Sequence, residues 1–383
     1  MIAPVEPSSV EPSLVERSRD RTPLAQRSIN HAAIAHNVRR VLGIARTPLM
    51  AVVKADAFGH GAVDVARTAL SAGAAWLGVA TVDEALELRA AGIRAPVLAW
   101  LIDPWCDLES AVRHDVTLSC ANQETLAAIW EAAALVGEPA AVHLELDTGM
   151  SRGGSTVALW GALCEAAADA ERAGLVRVSG LWSHLALAGR VGEWNVAPAV
   201  EAFTAGATVA YRAGLDPEHL HLGNSAAALA HPSARFSMVR VGAALYGIET
   251  VAGARFDLEP ALRLTSRVTQ VRDVVAGTGV GYLHEYRTRS STRLALVPVG
   301  YGDGIPRLPG ATVSIGGARF PIRGVVSMDQ LVVEVDDRVA LGDEVVVIGD
   351  GRRGEPSAQE WAVLAGTVAH DILAGLGSRV SRS

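Results

Sequence analysis

Lys54 closes an uncharged run, Leu49-Met50-Ala51-Val52-Val53, and is followed at once by Ala55-Asp56-Ala57-Phe58-Gly59-His60-Gly61. Apolar residues without alternation read as a strand buried on both faces. An ammonium inside such a strand is costly unless it is paired, neutralised or bonded. Lys54 therefore belongs at the strand's open end, beside a ligand. Two readings suit it there: a lysine that snorkels out of a rim, or one whose pKa desolvation lowers until its amine forms a Schiff base.

Other residue types gather around the same theme. In Val142 to Asp147 the period of two puts His143, Glu145 and Asp147 on one strand face. Inward carboxylates need cations, and Thr148-Gly149-Met150-Ser151-Arg152 supplies one at the strand's C-terminal end, where barrel enzymes keep their sites. A structural ion pair is the plainer reading. His184 ends Gly180-Leu181-Trp182-Ser183-His184, and a lone strand histidine is ordinarily a satisfied core residue. His219 and His221 share a face at i, i+2 spacing, but no motif completes a metal site, so none is expected. Gly223-Asn224-Ser225-Ala226-Ala227 has the small residues, hydroxyl and backbone donors that suit a phosphate, although serine is also a common helix cap. Arg240, inside Met238-Val239-Arg240-Val241-Gly242, must find an acceptor in the core. Tyr282, in Gly279-Val280-Gly281-Tyr282-Leu283, reads by itself as an amphipathic loop residue.

The stretch Ala51-Val52-Val53-Lys54-Ala55-Asp56-Ala57-Phe58-Gly59-His60-Gly61 resembles the pyridoxal-phosphate lysine signature of the alanine racemase family. Matching segments recur from about residue 27 to near residue 375, among them Leu146-Asp147-Thr148-Gly149-Met150-Ser151-Arg152. The resemblance implies pyridoxal 5'-phosphate bound to Lys54 as an internal aldimine. It places Arg152 against the cofactor's phenolic oxygen and the substrate carboxylate, and His184 near the cofactor ring. It sets Arg240 on the pyridine nitrogen, which an arginine cannot protonate. It puts Ser225, the Gly242 backbone and Tyr301 on the phosphate, and the Met328 backbone on the substrate. It implies that Tyr282 is a second catalytic base, opposite Lys54 and reaching into the partner subunit of a homodimer. Three departures stand out: Phe58 replaces the usual tyrosine on the phosphate, Glu145 the usual carbamylated lysine, and Leu283 the usual glycine.

The activity so implied is racemisation of L- and D-alanine by two-base proton transfer, supplying D-alanine for peptidoglycan. A broader small amino-acid racemase and a non-catalytic pyridoxal-phosphate carrier are the alternatives. A metal-dependent barrel hydrolase using His219 and His221 is a third reading.

The elements that must hold these residues are legible as short apolar runs alternating with helical patterns. Strands are expected at Leu49 to Ala55, Trp76 to Ala80, Pro96 to Leu101, Val116 to Cys120, Val142 to Asp147, Val176 to His184, Leu220 to Ser225 and Met238 to Ala243. Thr81 followed by Glu84 and then Gly92 start and stop one intervening helix. The expected fold is α/β, a (βα)8 TIM-like barrel over 28–248. An open doubly wound sheet is disfavoured, because no Gly-x-Gly-x-x-Gly follows the first strand. Beyond Glu249 come Val-, Thr- and Ile-rich segments broken by Gly and Pro, predicting a mainly β domain over 249–383 with a short C-terminal helix. Residues 1–27 read as a disordered tail, and the resemblance implies that the stretch from Arg27 to Asn30 adds an edge strand to the β domain.

Composition narrows the partners. The 383 residues are 50% hydrophobic and carry a formal net charge of -7, with an isoelectric point near 5.9. There is no basic stripe for nucleic acid and no run near the roughly 20 apolar residues that span a bilayer. Cys106, Cys120 and Cys164 have no metal or redox spacing. A small amino-acid substrate and the reducing cytoplasm fit this balance.

Overall fold

The computed structural model describes residues 23–103 and 105–383. They divide into two compact units, one of residues 28–263 with 348–376, the other of 23–27, 264–347 and 377–383.

Strands are numbered along the chain from β1 (Ala25–Ile29). The first unit holds β2 (Leu49–Val52), β3 (Trp76–Val79), β4 (Val97–Ala99), β5 (Thr117–Cys120), β6 (Ala140–Glu145), β7 (Val176–Trp182), β8 (His219–His221) and β9 (Val239–Val241). They pair in parallel in the order β8-β7-β6-β5-β4-β3-β2-β9. Two bonds close the seam: Ser237 N–H donates to the Leu220 carbonyl at 3.0 Å and Arg240 N–H to that of Gly223 at 2.8 Å. All eight expected strands are present, with ends shifted by a few residues. The expected Leu220 to Ser225 strand stops at His221, and Ser225 starts the helix Ser225–Ala230. Inside the barrel, Met50, Leu98 and Met238 form a buried plug with Trp76 and Trp100 against it.

The helix Val82–Ala90 shows why local signals work here. Thr81 Oγ1 accepts from Glu84 N–H, and the Glu84 carboxylate returns to the Thr81 N–H, a complete capping box.

The second unit contains β10 (Leu262–Arg267), β11 (Gln270–Val274), β12 (Gly279–Val280), β13 (Tyr286–Arg287), β14 (Thr292–Val297), β15 (Thr312–Ile315), β16 (Ala318–Pro321), β17 (Leu331–Val335), β18 (Glu344–Ile348) and β19 (Ser381–Arg382). One sheet runs β16-β15-β18-β10-β1-β19, a second β11-β14-β17, and β12 pairs with β13.

Three boundaries differ from expectation. Of the expected tail, 1–22 lie outside the described residues, whereas Ala25–Ile29 is strand β1. It runs between β10 and β19 rather than at the sheet's edge. The division between units falls after Arg263, and the helices Ala358–Ala365 and Ala369–Ala374 return to the barrel unit. The reason is burial: Ala369, Ile372 and Leu373 are packed away from solvent, and His370 meets the ring of Phe58 edge-on at 6.2 Å.

Candidate active site

Strand β2 stops at Val52, and the chain then makes a turn of the wrong hand. Ala55, Asp56, Ala57 and Phe58 have φ of 52°, 51°, 55° and 55°. For residues with a Cβ this costs roughly 1–2 kcal/mol each, so tertiary bonds must hold it. Ala55 N–H donates to Glu84 Oε1 at 2.6 Å, Ala57 N–H to the Val53 carbonyl at 2.8 Å and Ala62 N–H to Asp56 Oδ1 at 2.9 Å. Phe58 packs 4.8 Å from the ring of Tyr246, whose hydroxyl donates to the Val52 carbonyl at 2.9 Å. The turn aims Lys54 into a cavity of about 750 Å³ at the C-terminal ends of the strands.

Six of the nine residues to which the resemblance gives a role line that cavity: Lys54, Arg152, His184, Ser225, Arg240 and Gly242. Lys54 Nζ lies 5.5 Å from the Trp100 ring centroid. Burial lowers its pKa and Arg152 adds to the effect, with Glu84 opposing. A lysine so placed has more of its amine in the nucleophilic form.

Arg240 is buried at the centre of a polar column. Its Nη1 donates to the His221 carbonyl at 2.7 Å, and its Nη2 donates to that of Ser183 at 2.7 Å. The same nitrogens lie 3.2 Å from His221 Nδ1 and from His184 Nδ1. The guanidinium carbon stands 4.9 Å over the Trp182 ring. Burial pulls its pKa down to about 9, with Glu145 opposing, so it is still a cation at neutral pH.

Because an arginine only donates, the histidine tautomers follow. His221 accepts at Nδ1 and so carries its proton at Nε2, which donates to His143 Nδ1 at 2.9 Å. His143 is then left with a proton on Nε2, a buried nitrogen that has no hydrogen-bond partner among the described residues. His184 likewise accepts at Nδ1 and keeps Nε2–H as a donor. Burial first, then neighbouring positive groups, push His143 and His184 down to about 3 and His221 well below its usual value. All three are neutral at pH 7.

Strand β6 ends at Glu145, and Asp147 turns to loop duty: its Oδ1 accepts from the N–H groups of Gly149, Met150 and Ser151 at 2.9, 3.0 and 3.1 Å. That shapes the segment bearing Arg152. Burial raises Glu145 to about 7, against the pull of Arg240 and then Arg152. No ion pair joins Glu145 to Arg152 among the described residues, so the coupling read from sequence acts through space.

At the other side of the cavity Ser225 Oγ accepts from Gly242 N–H at 3.1 Å and Ala244 N–H at 3.3 Å. The Gly242 donor is thus taken by Ser225, and the hydroxyl proton remains to be given. A side chain at Gly242 would lie 3.1 Å from Phe58, so glycine keeps this wall open.

Tyr282, Tyr301 and Met328 belong to the β unit. Tyr282 is 62% exposed in a short turn, and Leu283 beside it has a φ of 57° and is 90% exposed. Tyr301 and Met328 come together: Tyr301 N–H donates to the Ser327 carbonyl at 3.0 Å and Gly302 N–H to that of Met328 at 2.8 Å. Arg379 clamps the two loops through Asp303 at 2.9 Å and Asp329 at 2.7 Å.

His221 is committed to Arg240 and His143, and His219 lies 3.8 Å from Glu218. Among the described residues no group of three His, Cys, Asp or Glu side chains could hold a metal ion. Sequence reasoning missed Glu84 and His143 as supports of the site. Their signals were present in the capping box before Ala85 and in the inward face of β6.

Comparison with known proteins follows the same geometry. The alanine racemase N-terminal domain matches residues 29–250 and the alanine racemase C-terminal domain residues 261–383. The alanine racemase of Salinispora tropica is 45% identical over 354 residues, covering 91% of this chain and 95% of its own. That of Frankia casuarinae is 46% identical over 340 residues, 87% of this chain and 88% of its own. The crystal structure of alanine racemase from D-cycloserine-producing Streptomyces lavendulae superposes with a TM-score of 0.92 at 41% identity, covering 95% of this chain and 97% of that one. With both family domains matched in order along nearly its whole described length, the chain belongs to the alanine racemase family.

Proposed function

We propose that this chain interconverts L- and D-alanine with pyridoxal 5'-phosphate, the cofactor that the alanine racemase family uses. The observation that carries the reading is Lys54: a desolvated amine at the mouth of a buried strand, facing one cavity with Arg240, Ser225 and Arg152.

The donor set fits the cofactor. Ser225 has a hydroxyl proton to give, its oxygen being supplied by two backbone N–H groups, and Gly242 leaves room beside it. When bound, the cofactor supplies an electron sink that acidifies the α-proton of an amino acid. Lys54 would hold the aldehyde carbon and, once released, move a proton at one face of the α-carbon. Ser225 and Tyr301 would donate to the phosphate. Arg240 would donate to the ring nitrogen without protonating it, which holds back electron withdrawal and so disfavours transamination and decarboxylation. Arg152 and the Met328 backbone would take the substrate carboxylate, and neutral His184 would offer Nε2–H beside the ring. Tyr282, presented by a second copy of the chain, would move the proton at the opposite face. Exposure of its turn supports a role outside its own unit. The active form is then a homodimer with shared sites, working in the cytoplasm to supply D-alanine for peptidoglycan.

The test is chiral separation of products from L-alanine and from D-alanine, with wild type and Tyr282→Phe. Wild type should give the racemate from either side, while the variant should lose α-proton exchange from L-alanine far more than from D-alanine. No racemate with wild type, or equal losses with the variant, would overturn the two-base assignment.

A further inference from the structure

The barrel's opposite mouth holds a second cavity, of about 280 Å³, at the N-terminal ends of the strands. Trp76 opens β3, Thr117 opens β5, His219 opens β8, and Arg177 and Ser179 lie on β7. Residues at this end of a barrel ordinarily serve stability through mutual pairing. Here Glu218 lies 3.8 Å from His219, whereas Arg177 and Asp115 have no side-chain partner among the described residues.

Ser179 is the clearest case. The β6–β7 register passes from Val142 opposite Val178 to His143 opposite Gly180, so Ser179 is a bulged extra residue. It is 5% exposed, and its hydroxyl has no hydrogen-bond partner among the described residues. Bulges commonly re-aim a side chain at a site, and a buried hydroxyl is costly to leave without a partner. The Arg177 guanidinium makes no hydrogen bond or ion pair among the described residues, and neither does the Asp115 carboxylate, although Arg89 donates to the Asp115 backbone carbonyl at 2.9 Å. Trp76 supplies an apolar wall.

An exposed cation, an exposed carboxylate without a hydrogen bond among the described residues, a buried hydroxyl and an indole face line one small cavity and match the two ends and the short side chain of one ligand class. We infer that this cavity is a second binding site, for a small zwitterionic α-amino acid, with its carboxylate on Arg177 and Ser179, its ammonium on Asp115 and its side chain against Trp76. A simple anion would meet Asp115 and Glu218 as well as Arg177, and a metal ion would meet Arg177. The volume falls just under the roughly 300 Å³ at which drug-sized ligands begin.

The test is equilibrium dialysis of the cofactor-loaded protein against radiolabelled glycine, which has no stereocentre to be turned over. Wild type should bind two glycines per chain, Arg177→Leu one, and Asp115→Asn should weaken the second at least tenfold. Asp115 has a φ of 54°, a conformation that asparagine accepts, so Asp115→Asn keeps the loop and carries the test if Arg177→Leu does not fold. The variant comparison isolates this mouth whether or not Lys54 carries a cofactor. One glycine per wild-type chain, or two that persist unchanged in both variants, would overturn the inference. So would acetate displacing the second glycine as well as alanine does, which would make this an anion site.

Discussion

Glu84 Oε1 accepts the N–H of Ala55 at 2.6 Å while its Oε2 accepts that of Ala80 at 2.7 Å. One carboxylate thus caps a barrel helix and holds the first peptide of the left-handed turn that presents Lys54. Glu84→Ala removes both. It should cost about 1–3 kcal/mol of stability and, because Glu84 raises the Lys54 pKa, shift Lys54 further toward its neutral amine. Thermal unfolding and the pH dependence of cofactor attachment check the two effects. An unchanged melting temperature together with an unchanged attachment profile would show that the turn stands without this bond.

The histidine column makes a pH prediction of mixed sign. His143 and His184 are held at about 3 in the folded protein, so between the ordinary 6.5 and about 3 the unfolded chain binds protons the folded one refuses. Stability therefore falls as pH drops through that window, each group contributing up to about 1.4 kcal/mol per pH unit. Glu145, raised to about 7, works the other way: from about 7 to 4.5 the folded state binds its proton first and gains stability as pH falls. Denaturant titrations of wild type, His143→Leu and Glu145→Gln from pH 7.5 to 5 should show a shallower acid loss in the first variant and a steeper one in the second. Parallel curves would contradict the assignments.

How much of this could be read from the chain is uneven. An uncharged run ending in lysine marks both β2 and its functional end, and Arg240 announces itself because no solvent explains it there. The left-handed turn at Ala55 to Phe58 could not be read. Alanine and phenylalanine carry no local preference for positive φ, and what holds them is Glu84, which lies 29 positions on. The helices after Ile348 read as part of the β domain because chain order suggested it, whereas burial of Ile372 and Leu373 decides otherwise. The β7 bulge at Ser179 is equally silent, since pairing register is a property of two strands.

The resemblance sets Glu145 where the family usually builds a carbamate, and Glu145 makes no direct ion pair with Arg152 among the described residues. Burial nonetheless puts its titration near pH 7 under the field of Arg240 and Arg152. Activity of wild type should be indifferent to added bicarbonate, while Glu145→Gln should lower turnover and flatten the pH–rate profile around 7. A bicarbonate requirement in wild type, or a glutamine variant with full activity and the same profile, would place the anion elsewhere.

Leu283 occupies a left-handed position with its side chain 90% exposed, next to Tyr282. Leu283→Gly should relieve about 1–2 kcal/mol of strain, partly offset by the freedom glycine adds to the unfolded chain. Denaturant midpoints should therefore rise or hold. A clear fall would mean that Leu283 makes contacts worth more than the strain it bears.

Borohydride reduction of the purified protein, followed by peptide mapping, shows whether Lys54 carries the cofactor. The expected result is loss of the yellow absorbance and one pyridoxyl-modified peptide, containing Lys54. A modified peptide without Lys54, or protein that takes up no cofactor, would contradict it.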